Sequence, residues 1–276
     1  MAFKCTFYGN RGSLPVPDQQ TIKYGGNTTC IVLECGEETI ILDAGSGLRN
    51  FSGDFSQSGR DHATFLFTHY HWDHIQGFPF FAPLSNPKYR FSLYGDGKLD
   101  RAFGDLLRGQ VMHPYFPLSL DEFGAEISIN QIRAGQEFRV GDAIVIKTAP
   151  LNHPDRCLAY RVEYDGKAFV LCTDTEHFSC FDHRVLDIAA SADVLVYDAT
   201  YTEAEYTGEQ GPPRTGWGHS TNIQAARVAH EAGVKHLFLS HHATDHSDDF
   251  LEQMLEESRE VFTNVFLAHE RMELML

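Results

Sequence analysis

The chain has 276 residues, 42% of them hydrophobic, which is enough for a sizeable core and too many for a disordered chain. Asp and Glu outnumber Lys and Arg by 38 to 22, a formal net charge of −16, which argues against gripping long nucleic acid through a basic face. No apolar run approaches membrane-spanning length and Met1-Ala2-Phe3-Lys4-Cys5 lacks the apolar stretch of a secretory signal, so a cytoplasmic protein with no membrane partner is expected.

In chain order, Phe3–Tyr8, Cys30–Glu34, Thr39–Asp43 and Ala63–Phe67 are rich in aromatic and β-branched residues and read as strands separated by glycine-rich turns. Thr39-Ile40-Ile41-Leu42 has no polar alternation, as suits a strand covered on both faces. Residues 78–126 are crowded with aromatics and prolines and read as an insertion near the site, with one helix at about Leu99–Arg108. Strands resume at Ala143–Thr148, Cys157–Tyr164 and Lys167–Cys172, the last two joined by a tight hairpin at Asp165-Gly166. Strand Val194–Asp198, helix Asn222–Gly233, strand Val234–Ser240, helix Asp248–Phe262 and strand Asn264–Ala268 complete the chain. This pattern predicts one layered α/β domain over residues 1–276, sheet packed on sheet with helices outside.

Six cysteines lie at 5, 30, 35, 157, 172 and 180 without a C-x-x-C pair, which sets aside zinc knuckles and thioredoxin-like chemistry; reduced thiols are expected. Histidine carries the chemistry instead. His69-Tyr70-His71-Trp72-Asp73-His74 directly follows an apolar strand, and His69 and His71, two apart, project to one side of an extended backbone. Three histidines and an aspartate in six residues are a metal-ligand pattern, and four such donors from one short loop suit two ions better than one. Further ligands are expected just past later apolar strands: His153, Asp174 and His241 meet that condition, with His242 beside His241 as an alternative.

On these residues the chain resembles the metallo-β-lactamase superfamily, along almost its whole length. Asp43 in Leu42-Asp43-Ala44-Gly45 fits the family's supporting Asp-x-Gly turn. The resemblance implies a four-layer αββα sandwich of two similar halves, with metals at one sheet edge. It implies that His69, His71 and His153 hold one metal, that Asp73, His74 and His241 hold the other, and that Asp174 bridges them. Asp rather than Cys at position 174 disfavours β-lactamase activity. Asp198-Ala199-Thr200 and His219-Ser220-Thr221 resemble segments of the phosphodiesterase branch, which includes tRNA 3′-processing endonuclease. In that branch the His protonates the leaving group and an acid, usually Glu, orients it; here the acid is Asp198. Arg11-Gly12-Ser13 and Tyr24-Gly25-Gly26-Asn27-Thr28 resemble members related to cyclic-nucleotide phosphodiesterases.

The resemblance thus implies a hydrolase with two divalent ions, zinc before manganese or iron, and a catalytic set of Asp73, His219 and Asp198. Its expected substrate is a small phosphodiester such as a 3′,5′-cyclic nucleotide, and a homodimer is implied. The alternatives are a tRNA 3′-processing endonuclease, weakened by the charge and the lack of a basic arm, a thioesterase or lactonase of the same fold, and a binding protein without activity. His113, Tyr115 and Phe116 are candidates either for lid packing or for stacking on a base.

Overall fold

The computed structural model describes residues 2–98 and 100–276. Among them, two seven-stranded mixed sheets lie between helices. The first contains β1 (Phe3–Gly9), β2 (Cys30–Cys35), β3 (Glu38–Leu42), β4 (His62–Leu66), β5 (Arg90–Asp96) and β6 (Glu126–Ile132) in sequential order. The second runs β7 (Glu137–Val140), β8 (Ile144–Leu151), β9 (Cys157–Tyr164), β10 (Lys167–Cys172), β11 (Val194–Asp198), β12 (His236–Ser240) and β13 (Val265–Leu267). A final strand, β14 (Glu273–Met275), returns to pair with β1 in the first sheet. Each sheet begins antiparallel and ends parallel: β1 to β3 and then β3 to β6, β7 to β10 and then β10 to β13.

Period-two burial builds the layers. In β3, Ile40 and Leu42 enter the core between the sheets, while Ile41 faces the helix side. In β11, Val194 and Val196 point between the sheets, and Leu195 and Tyr197 point to the other face. The inter-sheet core joins Phe7 and Leu33 of the first half to Tyr160 and Phe169 of the second. Outside the first sheet pack α1 (Leu48–Gln57), α2 (Trp72–Ile75) and α3 (Phe103–Gln110). The second carries α4 (His183–Ala189), α5 (Glu203–Thr207), α6 (Asn222–Glu231) and α7 (Asp248–Arg259).

The hairpin between β9 and β10 turns at Asp165 and Gly166, both with positive φ, as its sequence requires. The expected strand Thr39–Asp43 ends one residue early because Asp43 turns to φ 58°. The expected helix Leu99–Arg108 is displaced to Phe103–Gln110; Leu99 itself lies outside the described residues.

The reading of 78–126 as an insertion needs correction. This stretch supplies β5, an internal strand paired in parallel with β4 and β6. Phe78, Phe81, Leu84, Phe91, Phe103 and Leu107 are buried in the core outside the first sheet. The aromatics that suggested a cover are the packing of the frame. Of the three residues at 113, 115 and 116, His113 and Tyr115 are exposed, Tyr115 at 82%, and Phe116 packs on Phe80 and Phe123.

Candidate metal centre

The C-terminal ends of β4, β8, β10, β11 and β12 meet at one edge of the sandwich; the expected metal ligands and Asp198 lie at or past these ends, and His219 comes from the loop that leads into α6. One donor atom from each of His69, His71 and His153 lies within 4.8 Å of the others. Asp73, His74, Asp174 and His241 form a second group on the same criterion. Asp174 stands between the groups. Its Oδ1 is 3.7 Å from Nε2 of both His69 and His153 and 3.2 Å from Nε2 of His241, while its Oδ2 is 3.2 Å from Nε2 of His74. His242 does not join them: it is buried with Nε2 3.4 Å from the Ala268 carbonyl oxygen.

These donors fit metal ions. Nε2 of His69 is buried and has no hydrogen-bond partner among the described residues, and buried Nε2 of His74 faces the carboxylates of Asp73 and Asp174 at 3.3 and 3.2 Å. A buried imidazole nitrogen left without a partner is costly unless it faces a ligand. Burial raises the Asp73 and Asp174 carboxyls, but neighbouring imidazoles outweigh it and hold both below the usual carboxylate range, Asp73 chiefly through His74 and Asp174 chiefly through His241. The edge therefore holds two carboxylates ready for a cation.

The far sides of His74, His241 and His153 are fixed, as ligand orientation demands. Asp43 accepts from the Thr68 backbone N–H and hydroxyl, both at 2.8 Å, and its Oδ2 lies 2.8 Å from Nδ1 of His74. Nδ1 of His241 is 3.0 Å from the Thr200 hydroxyl. Nδ1 of His153 lies 2.8 Å from the Gly218 carbonyl oxygen. Asp43, Asp174 and His241 all adopt left-handed backbone, with φ of 58°, 55° and 61°. Such strain, concentrated at strand ends, re-aims side chains toward a common point.

The structure also joins the expected acid pair. His219 Nδ1 is 2.8 Å from Asp198 Oδ2, so the shorter acid reaches. Asp198 is fully buried and accepts further from the backbone N–H groups of Thr175, Thr200 and Ser220. Burial pushes its carboxyl up, yet the neighbouring imidazoles, His219 first and then His241, help to hold it below the usual carboxylate range. Thr221, not His219, caps α6, its hydroxyl accepting from the Gln224 N–H. The His219 ring is left stacked on His241, with centroids 4.8 Å apart.

Two supports were harder to find in the sequence. Glu176 is buried and accepts from the Tyr206 hydroxyl at 2.8 Å and from the N–H groups of Gly216 and Gly218 at 2.7 and 2.9 Å. It thereby pins the loop that carries His219, yet nothing in Thr173-Asp174-Thr175-Glu176 distinguishes it from an ordinary surface acid. Arg11-Gly12-Ser13 had a signal but no assigned task. The Ser13 N–H donates to Asp73 Oδ2 at 2.8 Å, and fully buried Arg11 donates to the carbonyls of Gly25, Ala243 and His246. Glycine is required at two contacts here: a Cβ on Gly12 would meet the His241 ring at 2.3 Å, and one on Gly218 would meet His153 at 2.4 Å.

A cavity of about 280 Å³ adjoins His69 and His71, walled in part by Tyr70, Lys98, Arg101, Leu106 and Arg156. Asp100, Arg101 and Arg156 also border a larger, more open hollow of about 710 Å³. The 78–126 stretch thus contributes a wall beside the metal edge, although it is not a separate cover.

Fold and site together define a metal-dependent hydrolase of the αββα class. Residues 38–242 match the family described as the beta-lactamase superfamily domain, and the chain belongs to that family. A Ribonuclease Z from Archaeoglobus fulgidus is 26% identical, the match covering 99% of this chain and 98% of the relative. Among solved structures, the metallo-beta-lactamase fold protein YhfI from Bacillus subtilis superposes with a TM-score of 0.77 at 19% identity, over 100% of this chain and 99% of the other. Unliganded yeast PDE1 superposes with a TM-score of 0.70 at 14% identity, over 100% and 99%. These two structures share the fold. No helix among the described residues is long and apolar enough to cross a membrane.

Proposed function

We propose that the protein hydrolyses a small phosphodiester, a 3′,5′-cyclic nucleotide being the leading case, at a centre of two divalent ions, zinc first among them. His69, His71 and His153 would hold one ion and Asp73, His74 and His241 the other, with Asp174 shared. Such ions, when bound, lower the pKa of water toward neutrality and neutralise the non-bridging oxygens of a phosphodiester. The observation that carries the reading is the His219–Asp198 pair. Asp198 fixes Nδ1 of His219, so Nε2 is the atom that can hand a proton to a departing alkoxide. A thiolate leaving group needs no such proton, so the pair favours a diester over a thioester. Ser13 and His241 steady Asp73 through its Oδ2.

A small substrate is supported by the net charge of −16 and by a cavity of about 280 Å³, near the lower end of the roughly 300–1,000 Å³ usual for ligand pockets. On its wall Lys98, Arg101 and Arg156 outnumber Asp100 and Asp155, a balance that suits an anionic substrate. The inter-sheet core shared by both halves supports reading residues 1–276 as one domain. A second reading, a tRNA 3′-processing endonuclease, is favoured by the Ribonuclease Z relative that matches along nearly the whole of both chains. A panel on zinc-loaded protein separates them. Turnover of cAMP or cGMP, with a trailer-bearing precursor tRNA left intact, is expected. Cleavage of the precursor alone would overturn the small-substrate reading, and no turnover of any diester would overturn both.

A further inference from the structure

Both tryptophans of the chain are more than half exposed, Trp72 at 78% and Trp217 at 52%. Indole is usually well covered, because it is a large apolar surface. Trp217 cannot sink inward: Gly216 and Gly218 on either side donate their N–H groups to buried Glu176. It is also braced from behind. Its backbone N–H donates to the Arg214 carbonyl at 3.1 Å, and the Arg214 guanidinium lies over its ring, 4.9 Å from the centroid. The same guanidinium lies 5.2 Å from the Tyr201 ring, which meets His219 edge-on with centroids 5.9 Å apart. Trp217, Arg214 and Tyr201 therefore form a layered stack that ends at the proton-donating imidazole.

We propose that Trp217 is the stacking surface for a nucleobase carried by the leaving-group arm of the substrate. The inference rests on the phosphodiesterase reading and adds the chemical class of that arm. A group that takes its proton from His219 leaves on the side of the loop bearing Trp217, two residues away. A planar base there covers exposed indole, and the cation on the opposite face keeps the ring fixed as a platform. A second copy of the chain would cover the indole without involving a nucleotide, and the test separates the two.

Trp72→Phe leaves Trp217 as the sole tryptophan. Zinc-loaded W72F protein titrated with AMP should show saturable quenching of its emission and protection from acrylamide. In parallel, Trp217→Ala should weaken AMP binding about tenfold by equilibrium dialysis, with Trp217→Phe restoring most of it. Emission of W72F that ignores AMP, or that follows protein concentration instead, overturns the platform. Unchanged AMP affinity in Trp217→Ala, with bis-p-nitrophenyl phosphate still hydrolysed by the unaltered protein, overturns the platform and leaves the phosphodiesterase reading standing. Absence of any diester turnover in the unaltered protein overturns both.

Discussion

His219 and Asp198 show how much one contact decides. Asp198 reaches His219 despite lacking the methylene of the more usual Glu, because the end of β11 is buried and delivers the carboxylate directly. His219→Ala should lower kcat by about 10²–10⁴-fold while leaving metal content unchanged, read by steady-state kinetics alongside elemental analysis. Loss of metal along with activity would mean that His219 serves as a ligand instead. Asp198→Asn should do more damage: an amide keeps one acceptor oxygen, so its NH2 would face either the Thr175 N–H or those of Thr200 and Ser220, adding a stability loss of about 1–3 kcal/mol. The histidine-rich run at 69–74 was readable because several ligands fall in one loop. Glu176 was not, since its partners Tyr206, Gly216 and Gly218 lie at least 30 positions away and meet it only in the fold.

Strands with continuous apolar runs were the readable elements. Cys157–Tyr164, Lys167–Cys172 and Val194–Asp198 have the same limits in sequence and structure, since each is covered on both faces or bounded by a turn. β5 was missed although Phe91 and Leu93 alternate with polar neighbours, because the surrounding prolines and aromatics masked its period. Short α5 had no periodicity to read; it is fastened by its cap and by a distant partner. Glu205 accepts from the Thr202 N–H at 2.7 Å and lies 2.8 Å from His246 Nε2. Burial raises its carboxyl, but the bonds from His246 and Thr202 outweigh it and bring it from 4.5 down to about 2. A carboxyl depressed on folding contributes stability that is fully present above its unfolded value and fades as pH falls toward its folded one. Glu205→Gln should therefore reduce stability above pH 4.5 and flatten its decline between about 4.5 and 2, as read from urea midpoints. Parallel acid limbs in the two proteins would show that the contact contributes nothing.

At the scale of the molecule, two sheets of matching order place the ends of five strands along one edge. Neither half has the full donor set: His69 to His74 come from the first, and His153, Asp174 and His241 from the second. The inter-sheet core is thus what assembles the centre. The layers and the convergence of the ligands could be anticipated from motif order and the family resemblance. The walls of the adjoining cavity could not, because Lys98, Arg101 and Arg156 come from turns without a period. The most direct test of a two-ion phosphodiesterase is zinc titration of chelator-stripped protein, followed by the initial rate of bis-p-nitrophenyl phosphate hydrolysis. The expected rate rises from background and saturates at two zinc ions per chain. Saturation at one ion, or no hydrolysis at any ratio, would contradict it.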